Sequence, residues 1–257
     1  MTTPTLAPYT AVASFSGAAV DNFTLTYGIS NYVPGAQLPK RGDALWIFAG
    51  TNTQGNPPVA MTDTPGTQWT PGPAGPANVA QRIVSWFGIA PRDFLSTDTI
   101  NGQWTSAGNS KTLVVMGCAG LDGELLHGAT AYGATQTQFT SGQGGPVAAP
   151  ALLAGFVQSA AAGGGPTGLS FGDSTKRQWQ AGTGPWVTAV TEQIAANRAA
   201  VELTGTITGS QAVSALAFGL GAIVPGKPLR VWTGSNWQEI NANGARVWDG
   251  SDWVMTA

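Results

Sequence analysis

The sequence is short of what metalloenzymes and disulfide-stapled secreted proteins are built from. Cys118 is the single cysteine among 257 residues, so no disulfide can close within the chain. It lies in the apolar run Leu113–Leu121, which reads as a small buried thiol. His127 is the single histidine, which excludes the two-histidine zinc helix and any histidine-rich metal site. Charged residues are 9% of the chain, against roughly 25% in an ordinary globular protein. With a net charge of −2 there is no basic field for nucleic acid and no polybasic patch for a membrane surface. No apolar run reaches the ~18 residues of a membrane span. The opening MTTPTLAPYT lacks the positive start and apolar stretch of a signal peptide, so none is expected.

What is present is turn chemistry and aromatic bulk. There are 36 glycines and 17 prolines, without a collagen period. Yet 42% of residues are hydrophobic and ten are Trp, a content that disordered chains lack. Such a chain folds as short strands joined by Gly/Pro/Thr/Asn turns.

Along the chain, Val12–Phe15 and Phe23–Ile29 are short β-type pieces, and Pro34 and Pro39 mark a long connection. Asp43–Ala49 is apolar at nearly every position, as in a strand covered on both faces. Val59–Thr70 reads as a hairpin turning on Asp63-Thr64-Pro65-Gly66, followed by a Pro/Gly loop over Thr70–Asn78. Gln81–Ala90, Thr99–Thr105 and Lys111–Leu121 are further strands. Residues 128–150 and 160–167 read as Gly/Ala/Thr/Gln loops around a strand, or helical turn, at Ala151–Gln158. Trp186–Ile194 is the next strand. In Val201–Thr208, Val201, Leu203 and Ile207 alternate with Glu202, Thr204, Thr206 and Thr208, the pattern of a half-buried antiparallel strand. Gly209-Ser210 reads as a turn, with Val213–Leu220 returning. Roughly ten strands and no amphipathic helix predict an all-β sandwich or jelly roll. The expected domains are a sandwich over 1–223, a linker over 224–228 and a tail over 229–257.

The tail repeats itself. Val231-Trp232-Thr233-Gly234-Ser235-Asn236-Trp237 recurs as Val247-Trp248-Asp249-Gly250-Ser251-Asp252-Trp253, each copy preceded by an arginine, Arg230 or Arg246. Each copy has the pattern of a small β-hairpin with its two Trp facing across the strands. Such aromatic pairs contribute on the order of 0.2–1 kcal/mol, which does not stabilise a lone hairpin in water. The tail is therefore expected to pack on the main domain or on another chain.

The doubled V-W-x-G-S-x-W resembles the C-terminal repeats of minor tail proteins and other virion proteins of phages of mycobacteria and related actinobacteria. Gly42-Asp43 opening an apolar strand, then Thr62-Asp63-Thr64-Pro65-Gly66-Thr67-Gln68-Trp69, is similar to that family's "G-D…T-D-x-x-G-N-x-W", with Gln68 near the family's usual Asn. The Trp86 strand, Leu113–Asp122 and the strands within 201–220 are also similar. The resemblance covers most of the chain, and the Trp repeats are its distinctive part. It implies a concanavalin-like or jelly-roll sandwich with a small C-terminal β-hairpin extension, used as a virion building block. A protein made in a reducing host cytoplasm and released outside cannot depend on disulfides formed while it folds, which fits the single cysteine.

Enzymatic motifs are weak. Gly168-Leu169-Ser170-Phe171-Gly172 matches the nucleophile elbow G-x-S-x-G, which needs a following helix and a later histidine. Residues 173–179 show no apolar helical face and His127 lies upstream, so a Gly-rich strand end is the better reading. His127 with Asp122 and Glu124 lacks further metal ligands and reads as a polar loop histidine. Asp122 with Glu124 is the nearest thing to a glycosidase carboxylate pair, although both fall in a loop. Asp63 reads as a turn residue capping its own backbone. The Gly-rich loops at 141–146 and 160–166 have no Lys-Ser/Thr pair for phosphate.

Trp232, Trp237, Trp248 and Trp253, with Arg230 and Arg246, are the candidate contact residues, for a protein interface first and for sugar rings second. Trp179 and Trp186, flanking a Gly/Pro loop, are a second candidate pair. The expectation is a non-enzymatic virion protein without cofactor or metal, sited in the tail rather than the capsid. Its expected partners are other virion proteins and copies of itself, with neither nucleic acid nor membrane insertion. The alternatives are a capsid decoration protein and a module that binds host-envelope glycan.

Overall fold

The computed structural model describes residues 6–16, 20–29, 35–51, 58–76, 79, 82–108, 111–160, 165–171, 177–181, 186–223, 229–232, 237–240, 246–248 and 253–255. Among them every regular element is a strand. Among the described residues no helix is long and apolar enough to cross a membrane. The first eight strands are β1 (Tyr9–Ser16), β2 (Val20–Thr26), β3 (Ala44–Thr51), β4 (Pro58–Asp63), β5 (Thr70–Ala74), β6 (Arg82–Ile89), β7 (Thr99–Gly108) and β8 (Lys111–Cys118). They form a central sheet in the order β1-β8-β3-β6-β5 and a small sheet in the order β2-β7-β4. The next six are β9 (Leu121–Thr140), β10 (Ala151–Ser159), β11 (Pro166–Ser170), β12 (Arg177–Ala181), β13 (Trp186–Ile194) and β14 (Thr204–Ala222). They form a wide sheet in the order β11-β14-β10-β13-β12, with β9 on the other side of β14. All the pairings are antiparallel. The chain divides into two compact units, Met1–Ala222 and Ile223–Ala257. In the second, β15 (Leu229–Trp232) pairs β16 (Trp237–Ile240), and β17 (Arg246–Trp248) pairs β18 (Trp253–Met255).

The larger unit is a β-sandwich with apolar cores on both faces of its middle layers. Trp46 and Phe48 of β3 join Val114 and Met116 of β8, Phe156 of β10 and Phe218 of β14 in the core between the central and wide sheets. Phe48 stacks on Phe156 with ring centroids 5.1 Å apart, and lies 5.6 Å from Phe218. The alternate residues Leu45 and Ile47 of β3 and Leu113 and Val115 of β8 face a second core, shared with Met61, Ile100 and Trp104 of the small sheet. A third core lies on the far face of the wide sheet, where Phe139, Val147, Leu169, Phe171, Val201 and Leu203 cover Leu153, Val157 and Ala215. Two-sided covering is why β3, β8 and β10 are buried at every position. The near-continuous apolar run at Asp43–Ala49 has this cause.

Several local expectations are corrected or refined by the pairing. The turn at Asp63–Gly66 is present, but no hairpin hangs on it. β4 pairs β7 in the small sheet and β5 pairs β6 in the central sheet, so the turn carries the chain from one layer to the next. The Pro/Gly segment after Thr70 is an edge strand, where Pro71 and Pro73 are tolerated because β5 has one neighbour. Residues 128–140, expected as loop, are the body of the 20-residue β9. Pro166 and Thr167, expected as the end of a loop, open the short strand β11, whose Gly168, Leu169 and Ser170 form the strand end read from the sequence. Gly209 lies where the chain folds back, bringing Leu203 onto Gly155 beside Leu216 as the sequence suggested, but the two segments do not pair as a hairpin. β14 continues as one 19-residue strand through the bend, and Gly209 takes φ +77° where the β9 pairing shifts register. A glycine at positive φ in a strand absorbs an extra residue and bends the strand.

Candidate functional site

The expected contact residues of the tail lie on the two small strand pairs. Trp232 is the register partner of Trp237, and Trp248 of Trp253, so each repeat places its tryptophans opposite one another. Arg230 is opposite Glu239, an opposite-charge pair, and Arg246 is opposite Met255. Trp179 sits on the edge strand β12 opposite Ala189, and Trp186 opens β13 opposite Ser159. The side chains of these six tryptophans and two arginines lie outside the described residues. What the structure brings together is therefore each Trp pair along the backbone.

The aspartates of the motif-like segments are engaged in holding the fold. Tyr9 lies over Gly117, its register partner in β8, and its hydroxyl donates to Asp43 Oδ2. The same oxygen accepts the Lys40 amide at 2.9 Å. Burial, then the bond to Asp43, pushes the Tyr9 phenol far above its ordinary range. Asp63 Oδ1 accepts the amides of Gly66 and Thr67 at 3.0 and 2.8 Å, which is the self-capping turn read from the sequence. Its Oδ2 accepts the Tyr27 hydroxyl at 3.2 Å. Asp98, unmarked by any motif, holds the next turn. It takes a two-pronged bond from Arg92 at 2.7 and 2.8 Å, the Leu95 amide at 2.7 Å and the Thr64 hydroxyl at 3.0 Å. The Arg92 bond is the largest reason that its carboxyl is lowered to about 2.

The enzyme-like motifs do not assemble. Ser170 ends β11 opposite Thr204, while His127 lies on β9 beside the segment paired with Phe218. Among the described residues no helix follows Ser170, although the elbow requires one. His127 is a strand residue, not a loop residue, and its ring lies against Gly145, where a Cβ would collide with it. Asp122 approaches Gly221 across the β9–β14 pairing, and the Glu124 side chain lies outside the described residues. Among the described residues no three His, Cys, Asp or Glu side chains cluster as metal ligands. Cys118 is buried, its thiol pushed up to about 11 chiefly by that burial, and it donates to the Ala119 carbonyl at 3.3 Å.

One concavity was not legible in the sequence. The β9–β14 ladder is regular from Thr204↔Thr140 to Thr206↔Gln138, then shifts register through Gln211↔Gln136 to Val213↔Gly133. A groove of about 660 Å³ lies here, lined by Tyr132, Gln136, Gln138, Thr140, Thr204 and Thr206, with buried Phe139, Val213 and Ala215 also facing it. Among the described residues no charged one lines it. Phe139 packs over Gly205, and Gln136 over Gly133, so a Cβ at either glycine would strike the wall. A smaller hollow of about 560 Å³ lies at Tyr9, Lys40 and Asp43, whose polar atoms bond to each other as described. No family model matches the chain, nor does any curated protein or solved structure.

Proposed function

We propose that this chain is a non-enzymatic structural protein of a phage virion, a minor tail protein, in which the small C-terminal unit is the assembly contact. The reading is supported chiefly by the doubled Trp hairpin. Each copy has only three or four residues per strand, with Trp opposite Trp. Two-stranded ribbons of this size are marginal on their own in water. Burying their tryptophans against another protein surface offsets the cost of ordering them, and Trp is enriched where interfaces concentrate their energy. The likeness of V-W-x-G-S-x-W to actinobacteriophage virion repeats points the same way. So does the larger unit, whose cores close without a disulfide.

The test is to label purified particles of the virus that encodes this chain with an antibody against residues 1–222. Gold label on tails supports the reading. Label on heads moves the protein to a capsid decoration, and absence of the chain from particles refutes both. In the same particles, Trp237→Ala with Trp253→Ala should cut incorporation about tenfold, the loss expected when interface anchors are truncated.

A further inference from the structure

We propose that the groove where β9 and β14 part is a binding site for a neutral oligosaccharide. This inference does not rest on the virion reading, because it depends on residues of the larger unit alone.

The lining selects the ligand by what it offers and what it withholds. Gln136 and Gln138 carry side-chain amides, each able to donate and accept, and Thr204 adds a hydroxyl. Vicinal sugar hydroxyls need this mixture of donors and acceptors. Tyr132 adds a ring on the same wall, and rings stack on the C–H faces of sugars. The Glu202 carboxylate, two residues before the lining Thr204, is occupied: Thr140 donates to one oxygen at 2.6 Å and Gln143 to the other at 3.4 Å. Among the described residues, a ligand with its own negative charge would find no cation lining the groove and the Glu202 carboxylate beside Thr204. Phosphate, nucleotides and acidic sugars are therefore poor occupants.

The site is also built before any ligand arrives. Phe139 and Val213 belong to the third core, so that wall is fixed by packing. Gly133 and Gly205 let Gln136 and Phe139 lie flat on the backbone. A preformed wall spares a ligand the cost of ordering it. The volume falls in the range of small-molecule sites, roughly 300–1,000 Å³.

Isothermal titration and saturation-transfer NMR on the full chain test this. The probes are neutral gluco-, manno-, galacto- and arabino-hexasaccharides, with a hyaluronan hexasaccharide as the acidic comparator. At least one neutral probe should bind, and the acidic one should bind about tenfold more weakly or not at all. Gln138→Ala and Tyr132→Ala should each weaken binding about tenfold at an unchanged melting temperature. The tail pair Trp237→Ala/Trp253→Ala should leave the affinity unchanged. The proposal is overturned if no neutral probe binds, or if binding survives the groove variants and disappears with the tail variants. It is equally overturned if a peptide display panel yields extended peptides that occupy the groove while the saccharides do not.

Discussion

Every residue of β3 is buried, whereas along β9 only Leu121 and Phe139 are buried among the described side chains. β3 lies between β8 and β6 and sends alternate side chains into two cores. β9 has one neighbour, β14, and changes register against it four times. The first strand is held by apolar burial that its own residues specify. The second is held by backbone pairing to a partner some 80 residues later along the chain, with little burial of its own. A strand of the second kind can open a groove and carry exposed polar side chains, because its side chains are not needed to close a core.

The sharpest way to break that comparison is to empty the core. Phe156→Ala removes the ring stacked on Phe48, and the loss should be about 3–5 kcal/mol, read as a shifted urea midpoint. A loss under ~1 kcal/mol would mean that the sheets do not depend on this layer.

The polar latch ranks next. The Asp98 carboxyl is lowered from its ordinary 3.8 to about 2, and its side chain is 7% exposed. A depressed acid stabilises above its unfolded value, and that stability is lost as pH falls from 3.8 toward 2. Asp98→Asn should therefore cost up to about 2 kcal/mol at neutral pH and converge on the parent near pH 2. An equal gap at both pH values would assign the loss to packing instead of charge.

Within the ribbon, Gly209→Ala should cost about 1 kcal/mol, because an L residue resists the φ of +77°. If the variant proves as stable as the parent, the register shift does not need that conformation. The smallest effect belongs to β9 itself. Gln138→Ala, exposed and outside every core, should move the melting free energy by less than ~0.5 kcal/mol. A larger loss would show that β9 contributes to the fold through its side chains after all.

The same contrast explains which parts of the fold were legible in advance. β3, β6, β8, β10 and β13 were readable because two-sided or face-to-face burial demands apolar residues locally. The alternation through Val201, Leu203 and Ile207 correctly marked the buried face there. The fold-back at Gly209 was also legible, but not that one strand continues through it and keeps pairing β9 on both sides of the bend. Asp63–Gly66 failed similarly: the turn is there, yet its flanking strands join different sheets. β9 was missed because Gly, Thr and Gln on a one-sided edge look like loop. The Trp–Trp register of the tail was legible because each repeat places the pair around one short turn.

The sequence by itself determined that this protein is all-β, that it holds together without disulfides, and that its end carries a duplicated Trp hairpin. Those properties follow from composition and from contacts only a few residues apart. The tertiary structure alone decided the layer order, the route of the Asp63 turn between sheets and the existence of the groove. The reason is physical: backbone pairing is nearly indifferent to side-chain identity. The groove joins residues near 132–140 to residues near 204–215, which only the complete set of cores brings together.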